Sequence, residues 1–287
     1  MQVIADETNI GTRLDVAIGE AMPQLSRAFI QKLCEQGKVT VQSKPTKPGY
    51  KVRAGDVITV DYDLAQLSVI PHIDLPILYE DDDCLVLNKP VGVLTHSKGA
   101  FNPEATVATF VRKHISEDGL MGERAGIVHR LDRATSGVII CAKTSAALSF
   151  LQKQFSQRKV KKTYNAVVRG TLDPAEAVID MPIERNPKAP ATFRVGPNGK
   201  SAVTHYKIIG SNATYSLLEL KPETGRTHQL RVHLAHIGHP IVGDTLYNGA
   251  PADRLFLHAR ELEITLPNRE RRTFTAPLPP EFSDIMK

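Results

Sequence analysis

The run Gly137-Val-Ile-Ile-Cys-Ala142 has no polar break, and it follows directly on the polar turn His129-Arg-Leu-Asp-Arg133 and on Thr135-Ser136. An apolar segment of this length, opened by a turn, reads as a buried strand. A turn anchored to such a strand holds its side chains on a rigid support, which is where function concentrates. Further strands read at 84–88, 163–169, 201–209, 215–222 and 262–266, and helices at 106–115, 145–155 and 229–237. Leu148, Leu151 and Phe155 stripe the second of these helices. Strands outnumber helices and their order is mixed, so the expected class is α+β with a mixed, largely antiparallel sheet. In an alternating strand at 163–169, Tyr164, Ala166 and Val168 share one face.

The first sixty residues read differently. Thr12 is placed to cap a helix carrying Leu14, Ile18 and Met22. Ser26 is placed to cap a second, with Phe29, Ile30 and Leu33 on one face and an end near Gly37. Val39 and Val41, then residues 57–60 after a Gly55–Asp56 turn, read as two short strands, with residues 44–49 as the loop between them. Residues 27–53 hold seven basic side chains and one acid, a local net charge of +6 within a chain of net charge +5. Concentrated positive charge of this kind suits a polyanion. Residues 64–76, with Pro71 and Pro76 and no period, read as a linker. The expected division is therefore 1–63, a small α/β module that gathers this positive charge; 64–76, a linker; and 77–287, a second, larger domain.

The three cysteines form no C-x-x-C pair, and their odd number does not close a disulfide framework. Neither a signal-peptide core nor an apolar stretch near the roughly 20 residues of a membrane span is present, so a cytoplasmic protein without membrane attachment is expected. Phosphate-cradling, dinucleotide-binding and serine-esterase motifs are also lacking.

Asp132 stands between Arg130 and Arg133, whose charges favour an ionised carboxylate. The segment Glu223-Thr-Gly-Arg-Thr-His-Gln-Leu-Arg231 offers two arginines, Arg226 and Arg231, either of which could pair with Asp132. His228, His233, His236 and His239 raise a metal reading, but neither a cysteine nor an acid completes a ligand set there.

Together these stretches resemble the RluA family of pseudouridine synthases. The signature His129-Arg-Leu-Asp-Arg-Ala-Thr-Ser-Gly137 is accompanied, in the family's order, by Leu87-Asn-Lys-Pro-Val-Gly92, Lys162-Thr-Tyr164, Gly225-Arg-Thr-His-Gln-Leu-Arg231, His239-Pro-Ile-Val-Gly-Asp244 and Leu255-Phe-Leu-His-Ala259. The likeness spans 78–267. Residues 12–60, with Arg13-Leu-Asp15 and Gly37-Lys-Val39, resemble the RNA-binding domain of ribosomal protein S-four.

The resemblance implies isomerisation of uridine to pseudouridine in structured RNA, with Asp132 as the catalytic aspartate. Tyr164 would be the active-site tyrosine that stacks on the base, and Arg231 the arginine paired with the aspartate. Arg130 would hold the flipped-out state and Leu257 would line the uracil pocket. Arg27, Lys32 and Lys38 would contact RNA from the first module. Uracil leaves its sugar, turns and rejoins through carbon 5, with nothing oxidised and no net hydrolysis, so no cofactor or metal is expected. Asp132 can act as a nucleophile or as a base at the sugar. Large-subunit ribosomal RNA is the expected substrate and transfer RNA the alternative, with the protein acting as a monomer. The competing classes are a non-catalytic RNA-binding protein and a histidine-metal hydrolase.

Overall fold

The computed structural model describes every residue except 1, 5–8, 23–24, 26, 63–71, 98–103, 116–119 and 121–123, and the backbone alone at 2–4 and 28. Two compact units are present: residues up to 73 with 96–106, and residues 74–95 with 107–287.

In the first unit, β1 (Gln2–Ile4), β4 (Val57–Val60), β2 (Val39–Val41) and β3 (Lys44–Pro45) form a sheet in that order, with α1 (Leu14–Ala21) and α2 (Arg27–Glu35). Val39, Val41, Ile58 and Val60 alternate inward and pack with Leu14, Ile18, Ile30 and Leu33 into one core. Asp15, in the first turn of α1, is fully buried and clasped by Arg13 (2.9 Å), Arg27 (3.0 Å) and Gln31 (2.5 Å). Those donors hold its carboxyl below the usual range against the opposing effect of burial.

Two expectations need revising here. α1 begins after Arg13, and the Thr12 hydroxyl donates to the Asn9 carbonyl instead of capping the helix. The segment expected to be a loop at 44–49 begins as strand β3, because Gln42 and Ser43 take positive φ and close a two-residue hairpin. Strand β1 had no expectation behind it. The Ser26 cap and most of the linker fall outside the described residues. The carbonyl of Pro76, the last residue of that linker, accepts from Asn88 N–H at 2.9 Å.

The second unit is built on a nine-stranded sheet. Its strands are β5 (Ile77–Glu80), β6 (Cys84–Lys89), β7 (Ser136–Ala142), β8 (Lys161–Arg169), β9 (Glu176–Asp180), β12 (Val203–Ser211), β13 (Tyr215–Pro222), β14 (Leu257–Thr265) and β15 (Arg271–Thr275). β10 (Ile183–Arg185) and β11 (Phe193–Val195) make a separate hairpin. The helices are α3 (Val107–Val111), α4 (Ser145–Ser156), α5 (Gln229–His236) and α6 (Pro280–Asp284).

The sheet order is β5-β6-β7-β14-β8-β13-β12-β9, with β15 on β14. Among the described residues β7 and β14 run parallel and every other adjacent pair is antiparallel. This is the mixed, largely antiparallel α+β sheet expected. β7 is buried along its whole length. Its first contact with β14 requires Gly137: φ is +115° and a Cβ would overlap the Ala259 carbonyl.

Several bounds differ from expectation. The helix placed at 106–115 is α3 followed by a 3-10 turn, Arg112–His114. β14 starts at Leu257 rather than 262, because its first residues pair with β8 and β7 on both sides. β5, β9, β10, β11, β15 and α6 were not anticipated. These elements are short or have an exposed flank, so their apolar residues make no period.

Candidate active site

Asp132 lies in the turn that leads into β7. Main-chain contacts fix that turn. The Thr95 hydroxyl donates to the Leu131 carbonyl (2.8 Å) and accepts from Leu131 N–H (3.2 Å), while Arg133 C=O accepts from Gly92 N–H at 2.8 Å. Lys89, fully buried at the end of β6, donates to the carbonyls of Pro90 (2.9 Å), Val93 (2.9 Å) and Arg133 (3.3 Å). Burial pushes its pKa down to about 7 while the Asp132 charge opposes the shift. One ammonium therefore ties the strand before the turn to the turn itself.

Asp132 faces a cavity of ≈ 330 Å³ whose lining includes His129, Arg130, Tyr164, His228, Arg231 and Leu257. Of the two arginines in the 223–231 segment, Arg231 reaches Asp132, with NH1 3.7 Å from Oδ2. Arg226 instead donates to the Ser201 carbonyl. Arg231 is buried on α5, and its closer partner is Asp244, which is also buried: Nε and NH2 each meet a carboxylate oxygen at 2.7 Å. The guanidinium also lies over the Tyr247 ring, 5.0 Å from its centre. A bidentate pair of this kind fixes the guanidinium plane, leaving one N–H edge toward Asp132.

Tyr164 on β8 lines the same cavity and packs against the core around Ala166 and Leu220. Burial and the Asp132 charge push its hydroxyl above the usual tyrosine range, so the ring is a neutral phenol. Leu257 opens β14, paired with Ala166, and closes the apolar side of the cavity. Arg130 is exposed at the rim. His129 turns inward: its ring stacks on Phe155 at 4.6 Å and its Nε2 accepts from Ile140 N–H, with burial lowering its pKa to about 3.

In the sequence His228 is one of four histidines, without a role of its own. It precedes α5 with a left-handed backbone, φ 58° and ψ 18°, a conformation that non-glycine residues adopt chiefly at constrained sites. Its Nε2 lies 3.8 Å from Asp132 Oδ2 and its Nδ1 is 2.8 Å from the Tyr247 hydroxyl. Burial lowers its pKa and Arg231 adds to that, against the pull of Asp132 and Asp244. His233 is bonded between the Thr204 hydroxyl and the Met181 carbonyl. Among the described residues no group of three or more His, Cys, Asp or Glu side chains is arranged to hold a metal. Asp244 and Tyr247 had no assigned role in the sequence; the signal for Asp244 was its place in the His239–Asp244 motif.

In the first unit Arg27, Lys32 and Lys38 are exposed, as are Lys44, Lys47, Lys51 and Arg53. Among the described residues Arg27 is the one of its trio with an ion-pair partner, Asp15. Among the described residues no helix is long and apolar enough to cross a membrane.

Residues 83–236 match the family model described as RNA pseudouridylate synthase, and residues 12–58 match the S4 domain. The chain is 38% identical over 282 residues to a Yersinia pestis protein named ribosomal large subunit pseudouridine synthase D, covering 92% of this chain and 86% of that one. It is 39% identical over 300 residues to an uncharacterized RNA pseudouridine synthase of Chloroflexus aurantiacus, covering 99% and 92%. Among solved structures it resembles human RNA pseudouridylate synthase domain containing 1, with a TM-score of 0.60, 29% identity, and coverage of 72% of this chain and 85% of that one.

Proposed function

The chain belongs to the RNA pseudouridylate synthase family, and we propose that it converts uridines of large-subunit ribosomal RNA to pseudouridine through Asp132. The observation that carries the site assignment is the convergence of Asp132, Tyr164, Arg231 and Leu257 on one cavity. The ribosomal substrate is supported by the relative of that name, which matches along most of both chains.

The target uridine must first leave its stack, at a cost of a few kcal/mol that an aromatic platform and inserted side chains offset. Tyr164, a neutral ring on a rigid strand, supplies the platform, and Leu257 the apolar wall. Arg130, on the rim, is placed to meet the displaced strand. Arg231, oriented by Asp244, holds Asp132 aimed at the sugar, to attack it or to take a proton from it. The isomerisation is redox-neutral and asks for no cofactor. The division into a module at 1–63, a linker at 64–76 and a catalytic domain at 77–287, working as a cytoplasmic monomer, completes the reading.

The substrate is tested with ribosomal and transfer RNA carrying tritium at carbon 5 of uridine. Tritium release is expected from large-subunit ribosomal RNA, at positions that map reproducibly. Release from transfer RNA alone would transfer the assignment to that substrate.

Lys32 and Lys38 are exposed and available to phosphate, so Lys32→Ala/Lys38→Ala is expected to flatten the salt dependence of RNA affinity. A slope reduction of roughly 1.8 corresponds to two duplex phosphate contacts at about 0.9 each. Single-turnover rates at saturating enzyme should stay within about twofold, because phosphate contacts position and do not react. An unchanged slope would remove these lysines from the RNA interface.

A further inference from the structure

The Tyr247 hydroxyl accepts a hydrogen bond from Phe193 N–H at 3.0 Å and lies 2.8 Å from His228 Nδ1. A hydroxyl has one hydrogen, and its direction decides the histidine tautomer. Were Nδ1 the protonated nitrogen, the Nε2 lone pair would point at the Asp132 carboxylate 3.8 Å away, electron pair against electron pair. The consistent arrangement has Tyr247 donating to Nδ1, so that Nε2 carries an N–H toward Asp132. The ring is also fixed in place: Phe193 and Tyr247 meet it edge-on at 5.6 and 5.7 Å, and its backbone is held in the left-handed region.

Two donors thus converge on a single oxygen. Arg231 NH1 is 3.7 Å and His228 Nε2 3.8 Å from Oδ2 of Asp132, within reach of contacts that tighten when substrate binds. We propose that His228 is a positioning residue: as a neutral donor it joins Arg231 in holding Oδ2, which leaves Oδ1 as the oxygen that meets the uridine. A neutral donor orients the carboxylate without adding a second cation, which would weaken its basicity. The β10–β11 hairpin enters the site through this chain, Phe193 to Tyr247 to His228. The inference rests on Asp132 being the reacting carboxylate.

The test compares single-turnover rates and RNA affinity for His228→Phe, His228→Gln, Tyr247→Phe and Asp132→Asn, with folding monitored by thermal unfolding. His228→Phe keeps the ring and removes both nitrogens. It is expected to slow the reaction about 10- to 100-fold, the worth of one hydrogen bond to a charged group, with affinity within about threefold. His228→Gln offers an amide N–H near the Nε2 position and should recover the rate to within about fivefold of wild type. Tyr247→Phe frees the tautomer and should lose about 3- to 10-fold.

A normal rate for His228→Phe beside an inactive Asp132→Asn overturns the positioning role alone. So does a His228→Gln as slow as His228→Phe, which would make the ring's packing the cause. An active Asp132→Asn overturns the reading beneath it. If His228→Phe does not fold, Tyr247→Phe decides, and an unchanged rate there overturns the proposal.

Discussion

Asp132→Asn is expected to abolish pseudouridine formation, lowering the single-turnover rate by at least about 10⁴-fold, while RNA binding and folding persist. The amide is nearly isosteric with the carboxylate but has neither its charge nor its basicity, so both routes open to Asp132 close together. Folding should survive because the turn is held by main-chain contacts to Thr95, Gly92 and Lys89 and not by the Asp132 side chain. Arg231 keeps its bidentate partner in Asp244 and is not left as an unpaired charge. Tritium release under saturating enzyme measures the rate, and a filter-binding titration measures the affinity. Activity within about tenfold of wild type, a barrier change near 1.4 kcal/mol, would remove Asp132 from the chemistry.

Asp244→Ala should have the largest effect on stability. Arg231 and Asp244 are both buried, and their pairing is bidentate at 2.7 Å. Removing one member of a buried pair leaves an uncompensated charge, which typically costs about 3–5 kcal/mol. For a unit of this size that corresponds to a fall in thermal midpoint of about 6–20 °C. The rate should fall as well, since the released guanidinium would close on Asp132 and neutralise the group it now only orients. Arg231→Met/Asp244→Leu separates the two effects. Replacing both charges with apolar groups of similar size should recover much of the stability and none of the activity. Equal stability of Asp244→Ala and wild type in urea denaturation would mean that water reaches the pair.

The elements that carry the site residues were legible because each lies in a dense local pattern, while the roles expected of those residues came from the family resemblance. Asp132 is set in a polar turn abutting the uninterrupted strand Gly137–Ala142, and Tyr164 lies on a strand recognisable by its apolar neighbours. What escaped notice depends on side chains that meet only in the folded chain. Asp244 is one acid among many until Arg231 is seen against it. His228 reads as one of four histidines until its left-handed backbone aims Nε2 at Asp132. β10 and β11 have the compositions Ile-Glu-Arg and Phe-Arg-Val, with no alternation long enough to register, yet Phe193 supports both His228 and Tyr247. Residues 27–53 were legible as basic, but Arg27's engagement with Asp15 was not, since the two are twelve positions apart and meet only when α1 and α2 pack.

The placement of β14 has a consequence for how the protein is made. β7 and β8 are close in the chain but do not pair with each other; β14 lies between them, parallel to one and antiparallel to the other. Ser136 meets His258 across 122 positions of sequence. As the chain leaves the ribosome, the strand that follows Asp132 and the strand that carries Tyr164 must wait for residues 257–265 before they share a sheet. Until then two half-sheets present open edges to each other, a topology that folds slowly and exposes unpaired backbone in the meantime. The two sides of the reaction cavity are joined by a strand synthesised after both of them, so a nascent chain that stops short of β14 has Asp132 and Tyr164 but no common framework to bring them together.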